Sequence, residues 1–184
     1  GDAVGLFLDV FEEALNLAYH SARAENPNFH VSLGSEFDPQ VGVVEVYPQE
    51  FQRVLLNLIS NGFHAARKRQ DQQAGRSFEP ELSLRTKSFP DRVEIRVRDN
   101  GIGITEDVKA KMFNPFFTTK AAGEGTGLGL SLSHDIIVKQ HGGTIAAQSV
   151  PGEFTEFTIT LPRQVSLHPA RERMGGMGVP HPVR

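Results

Sequence analysis

The chain of 184 residues contains no cysteine. That excludes a disulfide framework, thiolate catalysis and any cysteine-ligated metal. It fits a reducing compartment, and the cytoplasm is the expected location. A charge excess of either sign is also missing: 19 Lys and Arg against 22 Asp and Glu leave a net charge of −3. Nucleic acid is therefore not an expected partner. No apolar run approaches the ~18 residues that suggest a membrane span, and no signal-peptide pattern opens the chain. No membrane contact is expected of this fragment. There is no internal repeat. The first residue is Gly1 rather than Met, so the sequence is expected to be a processed or excised piece. At 39% hydrophobic and 22% charged residues, the composition is that of an ordinary globular domain.

Periodicity supplies the elements. Val4 to Leu8 is a short apolar run that reads as a strand. Asp9 with Glu12 three residues later has the spacing of a capping box, so a helix is expected from there to Ala24. Asn26-Pro27-Asn28 breaks it. Phe29 to Phe37 and Val41 to Tyr47 alternate loosely, as strands do. Pro48 can open a helix, because its missing N–H is not needed there. Phe51, Val54, Leu55, Leu58, Ile59, Gly62, Phe63 and Ala66 then recur at helical spacing. Basic residues Arg67, Lys68 and Arg69 suit the end of that helix. Glu81 to Phe89 and Arg92 to Arg98 form a strand pair around Pro90-Asp91. In the second strand Val93, Ile95 and Val97 share one face. Thr105 caps a short helix to Met112, and a longer one runs from about Thr126 to Gln140, ended by Gly142-Gly143. Thr144 to Val150 and Phe154 to Leu161 read as a closing hairpin around Pro151-Gly152. The expected fold is α+β: a two-layer sandwich, one mixed and mostly antiparallel sheet with three helices on one face. Residues 1–162 form the domain. The Pro-, Gly-, Arg- and Met-rich stretch 163–184 is expected to be a disordered tail or linker.

Four stretches carry possible chemistry. The first is GEGTGLGL, Gly123 to Leu130. It is neither a P-loop, which needs Gly-Lys-Ser/Thr after four residues, nor a dinucleotide fingerprint, which needs a strand before it. Glycines leading into a helix still place free N–H groups and a positive dipole end at one spot, a seat for phosphate. A hinge uses the same residues. The second is Asn57 with Asn61, one turn apart on one helix face. Two amide oxygens there can meet Mg²⁺, which prefers oxygen ligands; a solvated polar face looks the same. The third is RDNGIGI, Arg98 to Ile104. Asp99 at a strand end can accept a hydrogen bond from an exocyclic amine such as that of adenine, and Gly101 and Gly103 allow backbone to lie against a flat ring. A capping Asp is the simpler alternative. The fourth is MFNPFFTTK, Met112 to Lys120. Phe113, Phe116 and Phe117 can anchor one end of a lid and leave Lys120 to reach a phosphate, or they can simply anchor a loop.

Taken together and in this order, the four stretches resemble the ATP-binding catalytic domain of sensor histidine kinases, the Bergerat-fold superfamily shared with gyrase, the 90-kDa heat-shock chaperone and MutL-type ATPases. LLNLISNGFHAA looks like the N box, RDNGIGI the G1 box, FNPFFTTK the F box and GTGLGLSLSHDIIVKQHGGTI the G2 box. GEFTEFTITLP looks like the last glycine motif. The similarity covers roughly residues 5 to 162. It implies ATP and Mg²⁺ as cofactors and an ATP lid between the F and G2 boxes. It implies that Asn61, with Asn57 beside it, meets the metal, and that Asp99 reads adenine. Gly101 and Gly103 would lie beside the ring and Thr155 near the adenine. Gly125, Gly127, Leu128 and Gly129 would line the phosphate side, and Ile104, Phe117, Thr126 and Leu130 would complete the nucleotide-binding set. Asn57, Asn61 and Lys120 are the candidates for a part in transfer. Two positions depart from the pattern: Phe154 stands where the family usually has Gly, and Gly62 where it commonly has Ala.

Hydrolases of the superfamily carry a Glu where this chain has Asn57. An amide cannot act as a general base near neutral pH. A histidine acceptor needs no such base, because neutral imidazole already has a lone pair. Transfer then rests on positioning and charge neutralisation. None of the seven His sits in the acceptor motif that the family carries on a separate dimerisation domain. The resemblance thus implies a protein-histidine kinase domain that passes the γ-phosphoryl group to a histidine on a domain absent from this chain, for relay to a response regulator. By itself it is expected to be a monomer. An ATP hydrolase and a degenerate nucleotide-binding docking module are the competing readings.

Overall fold

The computed structural model describes residues 3–42, 44–74, 76–117 and 129–163. The first element is helix α1, Ala3–Glu25. It runs straight through the stretch 4–8 expected as a strand. Phe7, Val10, Phe11, Ala14 and Ala18 are all buried, a spacing of three, four and seven that only a helix can turn to one side. Asp9 is exposed mid-helix and caps nothing. Strand β1 is short, Ser32–Glu36. The expected strand over 41–47 is not formed among the described residues. Asp38 caps a 3₁₀ turn at Pro39–Val41 by accepting from the Gln40 N–H, and Gly42 follows at φ 63°. This local turn chemistry overrides the loose alternation.

Helix α2, Pro48–Gln72, is the centre of the helical layer. Its buried residues are the eight apolar positions of the sequence stripe. Strands β2, Glu81–Ser88, and β3, Arg92–Asp99, follow. Helix α3, Glu106–Lys111, is short, and the Thr105 hydroxyl caps it by accepting from the Val108 N–H. Helix α4, Gly129–Asp135, passes into a π-helical turn, Ile136–Gln140. There the His141 N–H reaches the Ile136 carbonyl five residues back. Strands β4, Thr144–Val150, and β5, Phe154–Pro162, close the chain as a hairpin, with Gly152 at φ 81° in the turn.

The five strands form one sheet in the order β1-β2-β3-β5-β4, with only the β1–β2 pair parallel. The fold is α+β, with a mixed, mostly antiparallel sheet covered on one face. Val93, Ile95 and Val97 of β3 and Phe157, Ile159 and Leu161 of β5 point into the helical layer and are buried. Burial of each such side chain stabilises the fold by about 1.5–3 kcal/mol. The opposite face is polar: Arg96 and Arg98 both reach Glu156 on it. Asp99 pairs with Thr155 at the end of the two central strands, on the buried face by the two-residue period.

At the other end of the sheet Arg163 fastens the chain. Its guanidinium donates to the carbonyls of Phe89 (2.6 Å), Val41 (2.7 Å) and Gln40 (3.2 Å), and to the Ser88 hydroxyl. The tail expected from there to residue 184 lies, from 164 on, outside the described residues. Among the described residues no helix is long and apolar enough to cross a membrane.

Candidate functional site

The site begins where β3 ends. Asp99 is 5% exposed. Its Oδ1 accepts the Gly101 N–H at 2.8 Å. Among the described residues its second oxygen, Oδ2, accepts no hydrogen bond. Burial pushes its pKa up from 3.8 to about 7, against the pull of the Gly101 N–H and the Arg98 charge. Two structural reasons produce this burial. Gly62 of α2 lies over Leu82 and Asp99: a Cβ on Gly62 would stand 2.7 Å from Leu82 Cδ1 and 3.3 Å from Asp99 Cβ. The Gly62 departure therefore lets α2 sit down on the carboxylate. Gly101 packs backbone to backbone on the same helix, where a Cβ would come within 2.4 Å of the Ala65 carbonyl carbon.

The turn after Asp99 is held from several sides. The Asn100 side chain accepts the Glu81 N–H at 2.8 Å and donates to the Glu79 carbonyl at 2.9 Å. The Ile102 N–H reaches the Ala65 carbonyl at 3.3 Å, and the Ile102 carbonyl accepts from the Gly152 N–H at 2.6 Å. Gly103 has φ 72°, and a Cβ there would strike the Val150 carbonyl oxygen at 2.5 Å. Glycine is needed at Gly103 on both counts. The Ile104 N–H donates to Ser149 Oγ at 2.8 Å, and Ser149 Oγ lies 3.2 Å from the Thr155 hydroxyl. Asp99, Gly101, Gly103, Ile104 and Thr155 are thus gathered at one end of the sheet. Phe154 turns to the opposite face, where Arg98 stacks on its ring at 3.9 Å. Its departure from glycine leaves the buried Thr155 beside Asp99 untouched.

Asn57 and Asn61 project from the middle of α2, one turn apart and half-buried. Asn61 directly precedes Gly62 and so adjoins the Asp99 end. Asn57 faces α4. Its Nδ2 donates to Ser133 Oγ at 3.2 Å, and its Oδ1 is 2.3 Å from where a Cβ on Gly129 would stand. Only glycine lets the first residue of α4 seat on Asn57. Leu130, Ile104 and Phe117 pack partly buried against the core, as does Phe113. Phe116 does not: it is 75% exposed at φ 67°. Two of the three expected aromatic anchors therefore reach the core. Lys120, Gly125, Thr126, Gly127 and Leu128, with the lid expected around them, lie outside the described residues.

His141 secures the far end of α4. Its Nε2 accepts the Tyr47 N–H at 3.0 Å, and its Nδ1 sits 2.9 Å from the Ile136 carbonyl. Both contacts are satisfied by the neutral ring with its proton on Nδ1. Burial holds its pKa below the ordinary value, over the opposing influence of the Ile136 carbonyl and Glu50. His141 is a packing residue that anchors the π turn to the start of α2. Sequence reasoning missed Arg69, Ser133 and Ser149 as parts of this arrangement. Nothing in their local context marks them, because each acts across the fold.

Residues 47–165 match the model of the family described as histidine kinase-, DNA gyrase B- and HSP90-like ATPases. The chain belongs to that family. It is 37% identical over 155 residues to the sensor histidine kinase ZraS of Salmonella typhimurium, covering 84% of this chain and 30% of that protein. It is 33% identical over 153 residues to the sensor protein FixL of Bradyrhizobium diazoefficiens, covering 83% and 28%. Among solved structures, the catalytic domain of the histidine kinase ThkA superposes with a TM-score of 0.66 at 26% identity, covering 85% of this chain and 94% of that one. The chain thus spans about 30% of the length of these curated relatives. Within the histidine kinase-, gyrase B- and HSP90-like family, it is an ATP-binding domain of the type found as the catalytic domain of sensor histidine kinases.

Proposed function

We propose that this chain binds ATP with Mg²⁺ and directs the γ-phosphoryl group to a histidine on a dimerisation domain outside it, for relay to the receiver domain of a response regulator. The observation that carries the reading is Asp99. A buried carboxylate with a single N–H partner is costly unless a ligand completes it. The backbone beside it at Gly101 and Gly103 is approached too closely for any side chain. The exocyclic amine of adenine supplies the donor that Oδ2 lacks. Gly101, Gly103, Ile104, Phe117 and Thr155 line the base side in this reading.

The two Asn residues then divide the phosphate end. Asn61 is the metal ligand. In this reading Asn57 lies beside the metal, and its side chain also meets α4 at Ser133 and Gly129. Bound ATP would supply the γ-phosphoryl group, and Mg²⁺ would neutralise its charge. In this reading the protein orients the nucleotide through Asp99; Gly125, Thr126, Gly127, Leu128, Gly129 and Leu130 take the phosphates, and Lys120 has a part in transfer. Asn57 offers no general base for water, which favours transfer to an imidazole over hydrolysis. The compact unit of residues 1–162 carries the whole site, with 163–184 as a linker or tail. It acts as a cytoplasmic monomer until joined to its acceptor domain.

Calorimetric titration tests the reading, with ATP added with and without Mg²⁺ to the chain, to Asp99→Ala and to Asn61→Ala. The expected outcome is Mg²⁺-enhanced binding to the parent. Asp99→Ala should weaken it at least ~100-fold, the loss of a charge-assisted hydrogen bond in a buried pocket. Asn61→Ala should lose the Mg²⁺ enhancement while keeping metal-free binding. No binding to the unaltered chain would reduce it to a docking module.

A further inference from the structure

Arg69 stands two turns beyond Asn61 on α2. Its Nη1 donates to the Asn100 carbonyl at 2.9 Å and to the Glu153 carbonyl at 3.0 Å. Its guanidinium lies 4.7 Å over the Phe78 ring. The two carbonyls lie just outside the ends of β3 and β5. Asn100 directly follows Asp99, and Glu153 lies two residues before Thr155. Asp99 and Thr155 are the last pair of the β3–β5 ladder; beyond them the two segments are joined by the Gly152 N–H on the Ile102 carbonyl at 2.6 Å and by Arg69. Arg69 bridges the two segments with one nitrogen. Its Nε is meanwhile buried without a hydrogen-bond partner. Leaving such a donor unmatched carries a desolvation cost. The guanidinium is therefore seated for the two carbonyls and the ring, not for saturation of its own donors.

We infer that Arg69 is a positioning residue for base recognition, its guanidinium setting the distance between the Asp99 turn and the Thr155 strand so that both side chains meet the amino edge of adenine. The inference rests on the ATP reading above. Asp99 and Thr155 are ladder partners next to the two carbonyls that Arg69 bridges, so the bridge acts on the segments that continue from both side chains. An acceptor aimed at the amine of adenine also rejects guanine, which presents a carbonyl oxygen at the same position. Loss of the Arg69 bridge therefore lowers adenine affinity and narrows discrimination against guanine together. An ammonium at this position is a point donor on a flexible stem and does not reproduce the planar fork.

The experiment titrates Mg²⁺·ADP and Mg²⁺·GDP into the full chain and into Arg69→Lys and Arg69→Ala, with melting temperatures alongside. The parent is expected to prefer ADP. Arg69→Lys is expected to keep the fold, to bind ADP ~10-fold more weakly, and to narrow the ADP-to-GDP ratio by a similar factor. Arg69→Ala, where it folds, should show a larger change in the same direction. A melting temperature that falls while the ratio stays at the parent value would overturn the inference and leave Arg69 a stabilising clasp. Equal binding of ADP and GDP by the parent would also overturn it, with nucleotide binding intact. Binding of neither by the parent would instead strike the ATP reading itself and the inference with it.

Discussion

Two aspartates at opposite ends of the sheet show how one side chain serves two ends. Asp99 closes β3; Asp38 lies beside the other end of β2 and β3, ~23 Å away along the strands. Asp38 accepts two backbone N–H groups, from Gln40 at 2.8 Å and Ser88 at 2.9 Å, one on each oxygen. Those bonds, the Ser88 one foremost, hold its pKa below the ordinary value. Asp99 is buried with one N–H on one oxygen, and burial drives its pKa up to about 7. The first arrangement is complete without a ligand, whereas the second gains a partner only from outside. Arg163 makes the same point beside Asp38, with three carbonyls and a hydroxyl on one guanidinium. One end of the sheet is built to hold and the other to receive.

The largest effect on stability should come from breaking the saturated end. Arg163→Ala removes a charged donor from four acceptors at once. Hydrogen bonds to charged groups contribute about 1.5–3 kcal/mol each, but they are not additive, and water can reach the vacated carbonyls. A net loss of about 3 kcal/mol is expected in urea unfolding, with nucleotide affinity unchanged because the site lies at the far end. A matching loss of nucleotide affinity would show that the two ends are coupled.

Asp99→Asn should act in the opposite sense on the ligand-free chain. The folded pKa of Asp99 lies above its unfolded value, so the folded chain binds this proton more tightly. The stability it contributes is present below pH ~4 and is lost as pH rises to about 7. The rise to about 7 corresponds to a penalty on the order of 4 kcal/mol for the ionised folded form. Asparagine keeps an acceptor for the Gly101 N–H and carries no charge, but its own N–H₂ is left buried at a cost of about 1–3 kcal/mol. A net gain of about 2 kcal/mol at pH 8 should remain, shrinking toward pH 4. Denaturation of both proteins at pH 5 and pH 8 measures it; a difference that does not grow with pH would rule this out. Weaker ATP binding by the more stable variant would complete the contrast.

Much of this was legible in the residues. The apolar stripe of α2, the β2–β3 pair, the Thr105 cap and the β4–β5 hairpin follow from local period and turn chemistry. The aspartate stretch RDNGIGI gathers at one end of the sheet with Thr155, while residues 123–128 of the glycine stretch lie outside the described residues. Reading failed where a short segment offered two periods: at 4–8 a run of apolar residues hid a helix whose buried face appears only when Phe7, Val10, Phe11 and Ala14 are counted together. It failed again at 41–47, where Asp38 and Gly42 set a turn that alternation alone does not show. The burial of Asp99 was not legible, because it depends on Gly62 letting α2 descend onto the sheet. Nor was the role of Arg69, which a helix-end basic residue discloses only when two distant carbonyls arrive beside it.

The smallest effect sharpens the comparison most. Asparagine can accept at one oxygen only. At position 99 that suffices, since only Oδ1 is engaged. At position 38 both oxygens are engaged, so Asp38→Asn must turn an N–H₂ toward a backbone N–H of Gln40 or Ser88. The folded pKa of Asp38 lies below its unfolded value of ~3.8, so its contribution is present above that pH and lost as pH falls through the folded pKa. Asp38→Asn should therefore melt a few degrees lower than the parent at pH 7, with the gap closing as pH falls below ~3.8 and nucleotide affinity unaffected. The same substitution would thus stabilise at one end of the sheet at high pH and destabilise at the other, with opposite pH dependence. A variant at position 38 that melts with the parent at pH 7 would mean that its two hydrogen bonds are replaced by water at no loss, and that only the buried carboxylate distinguishes the two ends.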